Sequence, residues 1–305
     1  MPELCEVVLT AQYLSTKIIN KYITNLKILK GKYTHKELIG KDLLSKKTKI
    51  LNIDTKGKFM WFTLQNEETN KTFYMMNWFG LTGEWSFKTG ASDRIVLDIE
   101  NDDGKIYKLY YSDQRNFGIL QFADLITLNK KINTLAPDYL KSNFTVNQFY
   151  DWFKQFLDKY PNKSDMKIVE LLLEQDKDKG IGSGVGNYLS AEILYRAKIS
   201  PYRLLKDMSV NDIKTLGETT ARVVKMCYMT NITGYMKKMA DFVEIHKEKV
   251  ESGYFPDYHP DIPINSLEDF EFLVYQQKKD KFGNEVQADN IAVGRTTYWV
   301  KEVQK

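Results

Sequence analysis

The chain has 305 residues, 43% hydrophobic and 28% charged, which fits a soluble globular protein with material for two ordinary domains. Its two cysteines, Cys5 and Cys227, lie far apart and belong to no CxxC, and there are only three histidines, which excludes a disulfide framework and a structural zinc site. No apolar run reaches the roughly 18 residues of a membrane helix and no signal-peptide core opens the chain, so a reducing, intracellular setting is expected.

The first residues, "MPELCEV", place Pro2 and Glu3 directly behind the initiator methionine. Removal of Met1 would leave a secondary amine beside a carboxylate. An α-amine titrates near 8, against about 10.4 for lysine, so roughly a tenth is neutral at pH 7 and able to attack an electrophilic carbon. Residues 4–20 carry apolar side chains at helical spacing and predict a helix. Between Lys17 and Lys58 the chain holds twelve lysines and only three acids, a cluster suited to a polyanion or to an ordinary solvated surface.

β-rich runs follow. "KTKILNIDTKGKFMWFTLQN" reads as two strands around "DTKGK", and "KTFYMMNWFGLTGEWSF" as two more around "FGLTG". "RIVLDIENDDGKIYKLYYSD" is a hairpin marked by Asp103-Gly104, and "FGILQF" adds a strand. The expected class is α+β, with an N-terminal antiparallel β-sandwich over 1–125 flanked by the N-terminal helix. A linker region over 126–150, a helical domain over 151–265 and a terminal segment over 266–305 complete the predicted organisation.

In the second half, "FTVNQFYDWFKQFL", "SDMKIVELLLEQ", "GVGNYLSAEILYRAKI" and "SVNDIKTLGETTARVVKMCYM" read as amphipathic helices, with Ser164 and Ser209 as N-caps of the second and fourth. "SLEDFEFLVY" predicts a short helix with a capping box from Ser266 to Asp269. The last thirty or so residues alternate and predict a hairpin with "FGN" as its turn. In "LLLEQDKDKGIGSGVGNYLSAEILYRAKI" two apolar helices flank a glycine-rich turn, with Asn187 at the start of the second. Such a turn either brings backbone N–H groups up to a phosphate or is simply a tight helix connection.

"MPELCEV" together with "GSGVGNYLSAEILYRAKISPYR" resembles the formamidopyrimidine-DNA glycosylase and endonuclease VIII family, the second stretch resembling its helix-two-turn-helix. "DTKGKFMWF" resembles the loop of the family's catalytic lysine, here Lys58. "FGLTG" and "SDQRNFG" resemble its two void-filling loops, and "GRTTYW" the second strand of its DNA-binding finger. The resemblance spans nearly the whole chain and is closer to the endonuclease VIII-like branch of animals and giant viruses, whose finger is zincless.

The resemblance implies a bifunctional DNA glycosylase and abasic-site lyase of base excision repair, removing oxidised pyrimidines and hydantoins and acting through a Schiff base. It implies Pro2 as nucleophile, Glu3 as proton shuttle, Lys58 beside the scissile phosphates, and Arg295 with Asn187 on the phosphate near the lesion. Leu81, Arg115 and Phe117 would fill the gap left by the flipped base. Glu6 would support the N-terminal helix, and the variable loop from about Asn231 to Pro256 would shape the base pocket. Damaged duplex DNA is the expected partner, the chain a monomer without cofactor or membrane contact. Cys5 stands where the family pattern has proline and is expected to be packed. Asn116 stands where many bacterial relatives have a second arginine. The finger lacks cysteines, so Val274, Tyr275, Val286, Ile291 and Trp299 are expected to hold it by apolar contact. An N-terminal-proline tautomerase or a non-catalytic helix-two-turn-helix module are the rival readings. The first leaves the downstream motifs unexplained, the second Pro2, Glu3 and Lys58.

Overall fold

The computed structural model describes residues 2–141, 143–230, 240–255, 257–258, 268–292 and 294–305, with backbone alone at 240, 241, 243–245 and 247. The chain divides into two compact units. One holds Pro2 and Glu6–Asn133; the other holds Glu3–Cys5 and the chain from Thr134 onward, apart from residues 237–240.

The first unit begins with helix α1 (Leu4–Ile18), whose apolar side chains Val7, Ala11, Leu14 and Ile18 are buried in the sheet core. Eight strands follow: β1 (Tyr22–Ile28), β2 (Thr48–Lys56), β3 (Phe59–Asn66), β4 (Thr72–Trp78), β5 (Gly83–Ser86), β6 (Asp93–Glu100), β7 (Ile106–Asp113) and β8 (Ile119–Ala123). They form one antiparallel sheet in the order β5-β7-β6-β1-β2-β3-β4-β8. A sheet this wide and twisted curls over itself. Trp85 on the edge strand β5 donates its Nε1 to Asn77 Oδ1 on β4 across 3.0 Å, so strands from opposite ends of the order meet. Phe62, Trp85 and Tyr111 fill the space between the layers, each contributing about 1.5–3 kcal/mol of burial.

Strand β1 has no counterpart among the expected strands. A register shift between Ile23 and Asn25 breaks its two-residue period, so the buried positions do not alternate cleanly. Helix α2 (Leu125–Ile132), capped by Asp124 accepting from Thr127 N at 2.8 Å, was also unexpected. Lys21 and Lys47, from the lysine-rich stretch, pair with Asp102 and Glu100.

The second unit contains α3 (Val146–Lys159), α4 (Ile168–Leu173), α5 (Asn187–Ala197), α6 (Val210–Thr230) and α7 (Ala240–Glu251). Thr145 and Gln148 form a capping box on α3, and Ser209 caps α6 as expected, accepting from Asp212 N at 3.1 Å. Ser164 does not cap α4. The backbone of 164–168 hydrogen-bonds to 203–206 around the bridge Lys167–Leu204, through Lys206 N to Ser164 O, Leu205 N to Met166 O and Ile168 N to Arg203 O, so the helix starts only after Lys167. Helix α7 occupies part of the stretch read as a variable loop.

The helix expected from "SLEDFEFLVY" is not formed in its described part, Glu268–Tyr275. Ser266 and Leu267 lie outside the described residues. The N–H of Phe270 is taken by Thr230 Oγ1, and those of Leu273, Val274 and Tyr275 by the Glu192 carboxylate. The terminal hairpin is β9 (Gln287–Ala292) with β10 (Arg295–Trp299). Its strands meet at Gly294, not at "FGN"; Phe282, Gly283 and Asn284 turn the chain just before β9. Among the described residues no helix is long and apolar enough to cross a membrane.

Candidate active site

Glu3 is almost fully buried and sits at the start of α5. Its Oε2 accepts from Gly186 N at 2.6 Å and from Leu189 N at 3.3 Å, and its Oε1 from Tyr188 N at 3.0 Å. The open N–H groups of a helix start, with their positive potential, therefore face a carboxylate. The glycine-rich turn makes this approach possible. Gly184 has φ 112 and its carbonyl accepts from Leu4 N at 3.1 Å, and a Cβ there would lie 2.7 Å from the Leu4 side chain. Pro2 is buried. The Cys5 thiol donates to Val224 O at 3.4 Å and is packed, as expected.

In the first unit, Lys58 lies half-buried on the β2–β3 turn, beside Gly57. The two loops expected to fill the void are brought together. Arg115 N donates to Thr82 Oγ1 at 2.9 Å, Thr82 in turn donates to Asp113, and Asp113 accepts from Gly118 N at 2.7 Å. Gly80 lies so close that a Cβ would meet Gly118 N at 2.7 Å. Phe117 is 60% exposed, Arg115 exposed and Leu81 half-buried, so three large side chains stand on one rigid platform. A second layer holds the Arg115–Phe117 loop from behind. Lys32 Nζ reaches Gly118 O at 2.5 Å, and Lys32 N reaches Asn116 Oδ1 at 3.4 Å. The Tyr33 hydroxyl accepts from Leu120 N and donates to Leu120 O. Burial draws the Lys32 ammonium below the ordinary lysine pKa.

In the second unit, Asn187 Nδ2 reaches Thr296 O on β10 at 3.4 Å, which ties the start of α5 to the strand bearing Arg295. Arg295 opens on a cleft of about 350 Å³ with Glu170, Glu174 and Met166, and its Nη1 is buried with no hydrogen-bond partner among the described residues. A buried guanidinium N–H without an acceptor is costly and suits an anion.

The finger is held by two buried carboxylates. Glu192 on α5 accepts from the backbone N–H of Leu273, Val274 and Tyr275 at 2.9–3.1 Å and from Arg196. Asp280 accepts from Phe282 N, Asn284 N and Asn284 Nδ2 at 2.9 Å each and from Tyr195 OH at 3.0 Å. Burial pushes the Asp280 pKa up, but these donors outweigh it and hold the group below the usual carboxylate range. Apolar contacts contribute as expected. Val274, with Tyr275 and Val286 beside it, packs on Ala191, Tyr195 and Val300, and Ile291 is buried. Trp299 stacks edgewise on Tyr202 and donates to Asp289 at 2.7 Å. Among the described residues no cluster of three or more His, Cys, Asp or Glu side chains is arranged for a metal.

A family model described as the formamidopyrimidine-DNA glycosylase N-terminal domain matches residues 1–120, and its C-terminal counterpart matches residues 260–305. A formamidopyrimidine-DNA glycosylase of Ureaplasma parvum is 30% identical over 234 residues, covering 73% of this chain and 77% of that one. The chain belongs to the formamidopyrimidine-DNA glycosylase family, the DNA glycosylases of base excision repair. A relative from Prochlorococcus marinus is 25% identical over the whole of both chains. Two solved structures share the fold. The Thermus thermophilus protein has TM-score 0.69 at 21% identity, covering 99% of this chain and 98% of that one. The Lactococcus lactis protein in complex with abasic-site DNA has TM-score 0.71 at 18% identity, covering 99% of each chain.

In this glycosylase-family chain the braces Glu192 and Asp280 were not found by sequence reasoning. Glu192 sits inside an apolar helix, and one acidic residue among buried neighbours is the only signal it leaves. Glu192→Gln keeps one acceptor oxygen and turns its N–H₂ either toward Val274 N and Tyr275 N or toward Leu273 N and Arg196, donor against donor in both cases. A loss of about 3–5 kcal/mol is expected for breaking such a buried charged cluster. Thermal unfolding and DNA affinity of the variant test this. Unchanged values in both would show that Glu192 does not hold the finger.

Proposed function

We propose that the chain is a bifunctional DNA glycosylase and abasic-site lyase that excises oxidised pyrimidines and hydantoins through an N-terminal proline Schiff base. The observation that carries this reading is the Glu3 carboxylate, held at the α5 N-terminus by three backbone donors and adjacent in sequence to Pro2. A carboxylate fixed there can receive and return a proton without moving.

With Met1 removed, the Pro2 nitrogen attacks C1′ of the flipped nucleotide and the glycosidic bond breaks, the base leaving with the electron pair. Glu3 takes the proton from the proline nitrogen and delivers it to the sugar ring oxygen, which opens the ring. The product is an iminium that stays cationic because proline is a secondary amine. This electron sink favours loss of the 3′ phosphate and then of the 5′ phosphate. Lys58 supplies positive charge beside these leaving groups, and Asn187 with Arg295 holds the phosphate backbone. Leu81, Arg115 and Phe117 fill the gap in the stack, at a few kcal/mol of lost base stacking.

The carboxylate braces at Glu192 and Asp280 support assignment to the endonuclease VIII-like branch, because they hold the finger without cysteines. The relatives' names favour formamidopyrimidines instead. Incubation with a panel of lesion duplexes in borohydride separates the two. Covalent trapping on oxidised pyrimidines and hydantoins supports this reading, and trapping only on oxidised purines overturns its specificity.

Arg295→Ala is expected to weaken lesion and undamaged DNA by similar factors, since a phosphate carries no damage information. The salt slope of binding should fall by about one. Affinity measured from low to moderate salt checks this, and an unchanged slope with unchanged affinity would make Arg295 an ordinary surface residue.

A further inference from the structure

We infer that the cleft between the end of α3 and the loop preceding α5 binds one unstacked nucleotide of single-stranded DNA flanking the lesion. The inference rests on the reading of the chain as a DNA enzyme and deepens it by naming a second contact.

The cleft has a volume of about 380 Å³, room for one nucleotide. Its walls are planar. Trp152 is stacked on buried Phe144 at 5.8 Å and 23°, which fixes its ring, and Phe156 and Tyr160 stand 5.3 Å apart. Lysines lie over these rings, Lys163 above both Phe156 and Tyr160 and Lys159 above Tyr160. Aromatic faces interleaved with cations are the components of a single-strand groove, where bases stack and phosphates find positive charge.

The carboxylate in the cleft is already neutralised. Asp178 Oδ1 accepts from Lys159 Nζ at 2.9 Å and from Tyr160 OH at 3.1 Å, which keeps its pKa below the usual carboxylate range. Its other oxygen has no hydrogen bond among the described residues and can accept from an exocyclic amine. Lys177 and Lys179, on either side of Asp178, are exposed and leave the rim positive. A neutral or cationic ring system would gain nothing from these rim lysines, whereas a nucleotide uses both ring and phosphate.

Continuity with the proposed phosphate contact selects DNA as the occupant. Ile181 lines the cleft, and six residues on, the same turn reaches Asn187. Those six residues span at most ~22 Å. On a duplex that is about six base pairs. A strand held at Asn187 therefore passes within reach of the cleft wherever the helix is open.

The test compares binding of a blunt lesion duplex with the same duplex bearing single-stranded tails, 3′ or 5′, long enough to cover that reach. Stacking of one base predicts a gain of about five- to 150-fold for one tail polarity. Trp152→Ala and Lys177→Glu should each abolish most of the gain while leaving blunt-duplex binding and borohydride trapping nearly unchanged. Lys177 is exposed, so its variant reports even where Trp152→Ala disturbs folding. No gain with either tail would overturn the inference, as would a gain that survives Lys177→Glu with no change. Wild-type protein that fails to bind or trap the blunt duplex would bring down the functional reading itself.

Discussion

A chain carrying an uncleaved extension ahead of Pro2 is expected to form no covalent complex with lesion DNA in borohydride. The extension turns the proline nitrogen into a tertiary amide, which has neither a nucleophilic lone pair nor a proton to give up. Pro2→Ala should behave differently. It leaves a primary amine that can still form an imine, so a trace of lyase activity should persist while most base excision is lost. The two variants therefore separate loss of the amine from loss of the ring. Full trapping by the extended chain, with the extension verified intact, would assign the nucleophile elsewhere, with Lys58 the next amine to examine.

Glu3→Gln is expected to bind lesion DNA nearly as the wild type does and to excise intact bases about 10²- to 10⁴-fold more slowly, the usual worth of a positioned acid–base group. Its cradle adds a second consequence. Gly186, Tyr188 and Leu189 all donate toward the carboxylate, and an amide can offer only one oxygen to them. The amide N–H₂ must face another donor, at about 1–3 kcal/mol. The variant should thus also melt at lower temperature, by several degrees for a domain of this size. Rates are to be taken well below that transition under single-turnover conditions. Unchanged base excision there would remove Glu3 from the chemistry.

Much of the candidate site was legible because its signals are local. The β2–β3 turn, the two glycine-flanked loops and the α5 start each occupy a few consecutive residues, and the structure joins Leu81, Arg115 and Phe117 on one platform through Thr82 and Asp113. What could not be read depended on partners distant in sequence. Strand β1 lost its period to a bulge. The 268–275 helix yielded to a carboxylate on α5, and α4 lost its first turn to pairing with 203–206. Helix propensity is a weak prior, and a buried hydrogen bond of about 1 kcal/mol net is enough to decide such short segments. The finger's apolar contacts were visible as alternation, whereas Glu192 and Asp280 were not, because nothing in a sequence says which acids are buried.

The central claim is that the Pro2 nitrogen bonds to DNA while Glu3 handles the proton. The most direct measurement is borohydride trapping of the chain on an oxidised-pyrimidine duplex, followed by proteolysis and mass mapping of the cross-linked peptide. A single adduct on the peptide beginning at Pro2, with Met1 gone, is expected. An adduct on Lys58 or another lysine, or efficient strand cleavage with no adduct at all, would contradict it.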